Sequence, residues 1–524
     1  MNFLREIFIN FLESNRSLVV VFFCLPVSLL FDMYLNVKKN ISKDLFLSKK
    51  HEEQVEHIQQ QVRGWNESSY SKRKLLCTSR PNWMSLSTTF SRKDKLHQIS
   101  VDLSDILEMD EVNMTIRVEP MVTFGRISDY LIPKGYALAV TLEIKDATLG
   151  GVALAAGMST HSHKVGLYQE NVVAYELVLG DGSFVTASEK ENVDLFRALP
   201  WSHGSLGFLV ALTLKIEKVK PFVKVDYLPV KGLEDYCSMI RLLSGDECIG
   251  SSLPDFIEAT IFSKDEAVVM IGNYSDYNPN IPINHCSRWY KPWFYKQTEE
   301  VLQTGKRTEL IPLKHYLSRH NRSIFWVVES MIHFGNNLIF RLLFGWLLPP
   351  KPAFLKYSTT PGIRKYTVTK QVFQDIVFPL RTLQDQICKS EELFNIYPLL
   401  VYPCKVYNKG PHSGQLKAPN EKYMVEGTNY AIYNDLGIYG VPGFIKNSDP
   451  SYSTIQSLKE MEEYTIKTGG FAFLYADIVM SKKDFELMFD LELYERVRKK
   501  YHADYSFPHL FDKVKPEIDI SELE

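Results

Sequence analysis

The run Thr148-Leu-Gly-Gly-Val-Ala-Leu-Ala-Ala-Gly-Met-Ser-Thr160 has the residue types needed to hold a diphosphate. Gly150, Gly151 and Gly157 let the backbone approach a ligand closely. The small apolar interior, Val152, Ala153, Leu154, Ala155 and Ala156, suits a short buried helix whose main-chain N–H groups bind an anion. Gly-Gly with small residues after it equally describes a closely packed turn, so the run gains meaning only from its downstream neighbours. Gly204-Ser-Leu-Gly207 offers a second close backbone approach, with Ser205 able to donate to an oxygen, ahead of the strand-like Phe208–Ile216. The first glycine spacing is not G-x-G-x-x-G, and no ribose-binding acid comes after it in a βαβ context, so a Rossmann dinucleotide site is disfavoured.

Other reactive residues are sparser. His161-Ser-His163 places two imidazoles on one strand face, but no Cys, Asp or Glu stands at ligand spacing. Hydrogen bonding is expected there, and no metal. G-x-S-x-G, H-E-x-x-H and P-loop patterns do not occur, which removes the commonest hydrolase and NTPase readings. Tyr475 and Asp477, on the strand-like run Gly470–Asp477, are candidates for a catalytic acid or its orienting group. For either, a structural hydrogen bond at a strand end is the plainer alternative. Tyr290, Lys291 and Trp293 are candidate pocket residues.

These groups need a scaffold. A chain of 524 residues exceeds one ordinary core, and 45% hydrophobic with 23% charged residues describes a folded protein. A formal net charge of −2, with no clustered basic face, gives no case for nucleic acid. The seven cysteines are scattered without a C-x-x-C pair, which favours a reducing compartment. Ser17–Phe31 carries no charge, and tolerating Asp32 extends the stretch to about 20 residues, enough for a bilayer span. Lys38, Lys39, Lys43, Lys49 and Lys50 come after it, whereas Arg5 and Arg16 before it are offset by Glu6 and Glu13. The expected topology is a single retained anchor with the bulk of the chain in the cytosol, a monotopic or buried helix being the alternative. Sequons at Asn66, Asn113 and Asn273 should then stay unmodified.

Helical spacing runs over His51–Arg63, with Gly64 a plausible stop. Strands are expected at Ile99–Leu103, Met114–Val118 and Leu177–Val185, the last folded at Gly180-Asp181-Gly182 as a hairpin. Asn192 and Asp194 are equal candidates to cap a helix near Leu195. Ser323–Pro350 is apolar but interrupted, which reads as two helices or a re-entrant segment, in a pocket wall, on a membrane or in an ordinary core. Lys482–Tyr501 reads as helix.

Taken in order, Thr148–Gly166, Glu176–Val185, Leu195-Phe196 and Trp201–Phe208 resemble the PCMH-type (vanillyl-alcohol-oxidase-type) FAD domain. Runs across the rest of the chain make the resemblance narrower: Cys77-Thr-Ser-Arg-Pro-Asn-Trp83, Pro200–Leu209, Tyr290–Phe294, Arg322–Trp326, Phe340–Trp346 and Leu474–Asp477 are similar to the Δ24-sterol reductase (Diminuto) family. The resemblance implies an α+β fold: an anchor over 1–42, a two-subdomain FAD domain over 43–220, an α+β substrate (cap) domain over 221–450, and a segment over 451–524 that completes the active site. It implies FAD bound through Thr148, Leu149, Gly150, Gly151, Val152, Ala153, Leu154, Ala155, Ala156, Gly157, Met158, Ser159 and Thr160, with Gly204, Ser205 and Gly207. It further implies NADPH as donor, a sterol side-chain alkene as substrate and an endoplasmic-reticulum membrane location, with the Golgi as a second site. The wider superfamily's first phosphate loop, Arg-Gly-x-Gly-x-Ser, is replaced by Thr78-Ser-Arg-Pro-Asn-Trp83, without glycine or covalent histidine, so noncovalent flavin is expected. The competing classes are an oxidase of a small alcohol or lactone and a non-catalytic membrane scaffold.

Overall fold

A computed structural model describes residue 9 and residues 11–44, 51–68, 73–90, 93–246 and 253–520. Arg5, Glu6, Lys49, Lys50 and Cys248, which bear on the expected topology and cysteine pattern, lie outside them. The α+β class holds: two large mixed-connectivity sheets carry helices on their outer faces.

The smaller sheet is antiparallel, ordered Ile106–Asp110, Thr115–Val118, Phe208–Lys218, Val172–Val178 and Phe184–Ser188, with Tyr136–Leu138 pairing the far end of Phe208–Lys218. The hairpin expected around Gly180–Gly182 is present, with Gly182 at φ +83°. The larger sheet runs Arg307–Pro312, Phe222–Lys231, Glu266–Ser275, Phe256–Ser263, Leu399–Tyr407, Tyr430–Gly440, Val372–Pro379 and Phe471–Ala472.

Register gives the larger sheet two different faces. Ile376 pairs with Leu436, Val401 with Leu436, and Ala259 with Val401. Paired residues share a face, and this face is sealed by helices Leu233–Ser244, Leu383–Leu393 and Thr454–Thr468. On the opposite face Asp375 stands opposite Gly437, Asp435 opposite Tyr402, and Thr260, two residues from Glu258, opposite Leu400. That face is buried too, toward the smaller sheet, so its carboxylates must find partners there.

Several boundaries differ from the sequence pattern. Helix His51–Glu67 continues through Gly64, because Trp65 extends the buried stripe Val55, Ile58 and Val62. The strand expected over Ile99–Leu103 ends at Ile99. Helix Val193–Ala198 starts after Asn192, whose amide donates to Thr186 O, while Asp194 accepts from Leu195 N, so neither makes the usual cap. Lys482–Tyr501 is two helices, Lys482–Met488 and Glu492–Lys500, parted where Asp490 accepts from His412 N.

The N-terminal apolar segment is helical from Arg16 to Asp44, with a wider π turn at Val20–Cys24. Arg16–Leu35 is long and apolar enough to cross a membrane. One side of it is packed on the protein: Val20, Cys24 and Leu25 are fully buried. Arg16 donates to Leu355 O (2.9 Å) and Ser358 O (3.0 Å), and Ser28 Oγ accepts from Lys351 N (2.9 Å). Asp32, the charge inside the segment, pairs with Lys351 at 2.8 Å.

Candidate active site

The Thr148–Thr160 run connects the two sheets. Leu149–Ala155 is a short helix; the chain then turns at Ala156 (φ +126°). At the far end Thr160 O accepts from Ile257 N in the larger sheet at 2.9 Å. Two of the three glycines are explained by packing. A Cβ on Gly150 would lie 2.7 Å from Pro120 Cα, and one on Gly157 would lie 2.5 Å from Val152 Cγ1. The first turn's N–H groups are also committed: Leu149 N donates to Val122 O (2.8 Å) and Gly150 N to Pro120 O (3.0 Å). The expectation that main-chain donors of this turn bind the anion is corrected to that extent.

At the second glycine pair, Gly204 sits at φ +70°, and Lys513 Nζ donates to its carbonyl at 3.1 Å. Ser205, expected to donate to a ligand oxygen, donates to Ser202 O (2.6 Å) and meets Tyr494 Oη (2.7 Å). A Cβ on Gly207 would press on Val178 O at 3.3 Å.

Beyond Thr160 the buried polar face of the larger sheet carries the candidate reactive groups. Asp375 accepts from two phenols, Tyr439 on one oxygen and Tyr475 on the other. Gly437 leaves room for this: a Cβ there would lie 2.8 Å from Tyr439 Oη and 3.1 Å from Asp375 Oδ1. Burial raises the Asp375 carboxyl, against the pull of its two phenols. Asp435, on the same face, is raised well above the carboxylate range by burial, then by Asp375 and Glu143. Its Oδ1 is buried without a partner, as fits a neutral carboxyl. Tyr475 itself is pushed up by burial and by Asp375. Its ring stacks on Phe473 (centroids 5.7 Å, 18°), which stacks on Trp201 (5.5 Å, 3°).

A second cluster adjoins it. Arg319, 2% exposed, donates to Glu258 (2.8 Å), Glu143 (3.3 Å) and Tyr402 Oη (3.3 Å). His320 meets the other Glu258 oxygen at 2.6 Å. Burial would raise Glu258, but Arg319 and His320 outweigh it and hold the carboxyl down to about 2. Glu143, with the longer bond to Arg319, is pushed up by burial to about 7.

The remaining candidates lie elsewhere. Asp477 accepts a bidentate pair from Arg364 (2.6 and 2.8 Å), so it clamps helix Pro361–Lys370 to the segment after Tyr475. His161 and His163 bind the carbonyls of Asp255 and Pro254, and burial pushes His163 down to about 3. Trp293 is buried against Tyr295, whereas Tyr290 is exposed, its carbonyl held by Arg341 at 2.7 Å.

Sequence reasoning missed Asp375, Asp435, Glu258, Glu143 and Arg319. The signal that could have found the strand acids is a carboxylate inside an otherwise apolar strand, as in Val372–Pro379 (VFQDIVFP) and Phe256–Ser263 (FIEATIFS).

Residues 68–188 match the family described as an FAD binding domain. Over 506 residues, 96% of this chain and 94% of the relative, the sequence is 38% identical to the Delta(24)-sterol reductase of Homo sapiens. It is 35% identical to the Delta(24)-sterol reductase homolog of Caenorhabditis elegans, over 95% of this chain and 94% of the relative. To the Delta(24)-sterol reductase of Arabidopsis thaliana it is 32% identical, over 98% and 93%. The residues present fit a flavin dinucleotide: Gly151 is exposed, Gly204 has a left-handed backbone that keeps side-chain bulk away, and Arg80 Nε is a buried donor without a partner.

Proposed function

The chain belongs to the Δ24-sterol reductase family, and from that premise we propose that it uses FAD and NADPH to reduce the side-chain Δ24 double bond of a membrane sterol. The observation that carries the proposal is the buried Tyr475–Asp375–Tyr439 constellation at the junction of the FAD-binding fold and the larger sheet. In this reading 1–42 serves attachment, 43–220 FAD, 221–450 the substrate, and 451–524 completes the site with Tyr475.

An isolated alkene has no carbonyl to accept charge, so reduction needs an acid at one carbon and a hydride at the other. FAD, reduced by NADPH, supplies the hydride. The chain's own part is the proton. Asp435 holds it as a neutral carboxyl, because burial and the nearby Asp375 disfavour a second negative charge. With Asp375 ionised, Tyr475 spends its hydroxyl proton on Asp375 Oδ2. When the proton passes to Asp375, that bond reverses and the Tyr475 hydroxyl turns its own proton outward, toward C24 of the alkene. Positive charge then develops at tertiary C25, among the aromatic faces of Tyr439, Trp326 and Phe473, which exclude water.

Membrane attachment is assigned to helix Arg16–Leu35. Its packed side and the Asp32–Lys351 pair favour a helix lying in the membrane interface over one that spans it. Phe22, Leu30, Met33 and Tyr34 face outward, as do Leu338, Ile339, Leu342, Leu343 and Trp346 of the neighbouring helical segment. We place the protein at the endoplasmic reticulum, facing the cytosol.

The test is an anaerobic assay of the purified protein with NADPH and desmosterol. Flavin bleaching by NADPH and reoxidation by the sterol, with cholesterol formed, is the expected result. Bleaching by an alcohol or lactone instead, or protein that cannot be loaded with flavin, overturns it.

A further inference from the structure

We propose that Lys93, Arg80 and Lys513 form the cationic cradle for the FAD diphosphate, replacing the glycine-rich first loop that this chain lacks. The inference rests on the proposed use of FAD and deepens it.

The loop Thr78–Met84 is shaped by proline and a short 3-10 turn at Asn82–Met84, and contains no glycine through which a phosphate could reach the backbone. Side chains fill its inner side instead. Lys93 Nζ donates to Thr78 O (2.9 Å), Thr78 Oγ1 (3.1 Å) and Arg80 O (2.6 Å). Arg80 uses Nη2 on Met84 O at 2.9 Å, and its buried Nε has no partner. Lys513 comes from the far end of the chain and reaches Gly204 O at 3.1 Å. Its Nζ lies 3.7 Å from where a Gly204 Cβ would stand, and Leu154 Cδ1 lies 3.9 Å from the same point. The ammonium therefore meets the Gly204 turn, which Leu154, near the C-terminal end of the Leu149–Ala155 helix, also approaches.

The hydrogen-bond partners of these three cations are all neutral oxygens. Among the described residues none of the three has a carboxylate within ion-pair distance, in contrast to the buried Arg319 and Arg364, which are paired with acids, though the buried Arg322 and Arg498 likewise donate to neutral oxygens. Gathering unpaired cations away from water is unfavourable without an anion. Lys513 is pushed down to about 8, by burial first and then by Lys93, against Cys77; Lys93 is lowered by burial, with Cys77 opposing and Arg80 adding to it; and Arg80 is lowered by burial against the pull of Asp146. A diphosphate carries the two negative charges and the oxygens that such a set is built to receive. The commitment of Leu149 N and Gly150 N to protein carbonyls takes two donors from the competing helix-terminus explanation.

The experiment compares the purified holoprotein with Lys93→Met, Lys513→Met, the double variant, and Lys93→Arg as the conservative control. It reads flavin-to-protein ratio and FAD dissociation rate by fluorescence, riboflavin affinity, the KM for NADPH, and melting temperature. The expected result is FAD loss faster by about 10-fold or more in each Met variant and a flavin-free double variant, with Lys93→Arg restored toward wild type. Riboflavin, which has no diphosphate, should bind all variants alike. Unchanged FAD dissociation in the Met variants overturns the cradle and leaves the use of FAD standing. Equal loss of riboflavin and FAD overturns it in favour of a structural role. A raised KM for NADPH with FAD retained overturns it by assigning the cations to the other nucleotide. Wild-type protein that takes up no flavin overturns the underlying use of FAD.

Discussion

Arg364 holds Asp477 through two parallel hydrogen bonds of 2.6 and 2.8 Å, and the same guanidinium reaches Glu517 at 2.8 Å. An acid bound in this way has both oxygens occupied by a cation, so Asp477 positions the turn after strand Phe471–Ala472 that carries Tyr475 and does not give up a proton.

Asp477→Asn should therefore act on stability. The remaining Glu517 keeps Arg364 paired, so the loss should be about 1–3 kcal/mol, below the figure for an uncompensated buried charge. Denaturant melts measure this, alongside sterol turnover per bound flavin, which should stay near wild type. Full stability with abolished turnover would instead make Asp477 the acid.

Tyr475→Phe removes the hydroxyl that faces Asp375 and should lower kcat by about 10²–10⁴-fold. Tyr439→Phe should cost less, because it supports Asp375 without delivering a proton. The double variant should be little worse than Tyr475→Phe alone, since the groups act as one unit. Steady-state kinetics on the three proteins decide this, with single-turnover flavin reoxidation reporting the chemical step.

Glu258 and Glu143 share Arg319 but should respond differently to removal of charge. Glu258→Gln removes the acid that holds the buried Arg319 most closely and leaves it only the longer contact to Glu143, and should destabilise by about 3 kcal/mol. Glu143→Gln leaves the Arg319–Glu258 pair intact and should be close to neutral. The wild-type Glu258 contribution is present above its unfolded value of 4.5 and is lost as pH falls toward about 2. Thermal melts of both variants at pH 7 provide the comparison.

Glu462 gives the opposite pH dependence. It is pushed up by burial to about 8, with Val479 N donating to it at 2.9 Å. The folded state thus holds a proton that the unfolded chain releases above 4.5. Stability falls as pH rises between those values, by up to about 1.4 kcal/mol per pH unit. Glu462→Gln keeps an acceptor for Val479 N and should raise the melting temperature at pH 8 while leaving it unchanged at pH 4. A melting curve that is equally pH-dependent in the variant would sink this assignment.

Replacing Leu338, Ile339, Leu342 and Leu343 with serine should weaken binding to phospholipid vesicles, with Arg16–Leu35 untouched, if both segments rest on one membrane face. Vesicle flotation with alkaline carbonate extraction checks it. Undiminished flotation would return the whole attachment to the N-terminal helix.

The FAD-binding domain was legible because its signal is local. Gly150, Gly151 and Gly157 stand close together in one stretch of chain, with Gly204 about 50 residues on, and the non-Rossmann spacing disfavoured the main rival. A local pattern does not reveal that Gly150 and Gly157 serve contacts with Pro120 and Val152, since Pro120 is distant in sequence. The reaction side was mostly hidden for the same reason. Asp375, Asp435 and Glu258 lie on three strands and share a face only through antiparallel register, which no single stretch encodes. Tyr475 was visible as a strand-end phenol, but its acidic partner lies a hundred residues earlier, at Asp375.

The stack of Trp201, Phe473 and Tyr475 has a mechanical consequence. Trp201 is carried by the turn leading to Gly204, and Tyr475 by the chain leaving the larger sheet. Three nearly parallel rings in contact act as a spacer of fixed thickness, so the phenol cannot tilt unless the indole yields. The tolerance on where the Tyr475 hydroxyl points is thereby set from the turn that leads to Gly204. Shortening the stack, as in Phe473→Leu, should loosen that tolerance while every polar group stays in place.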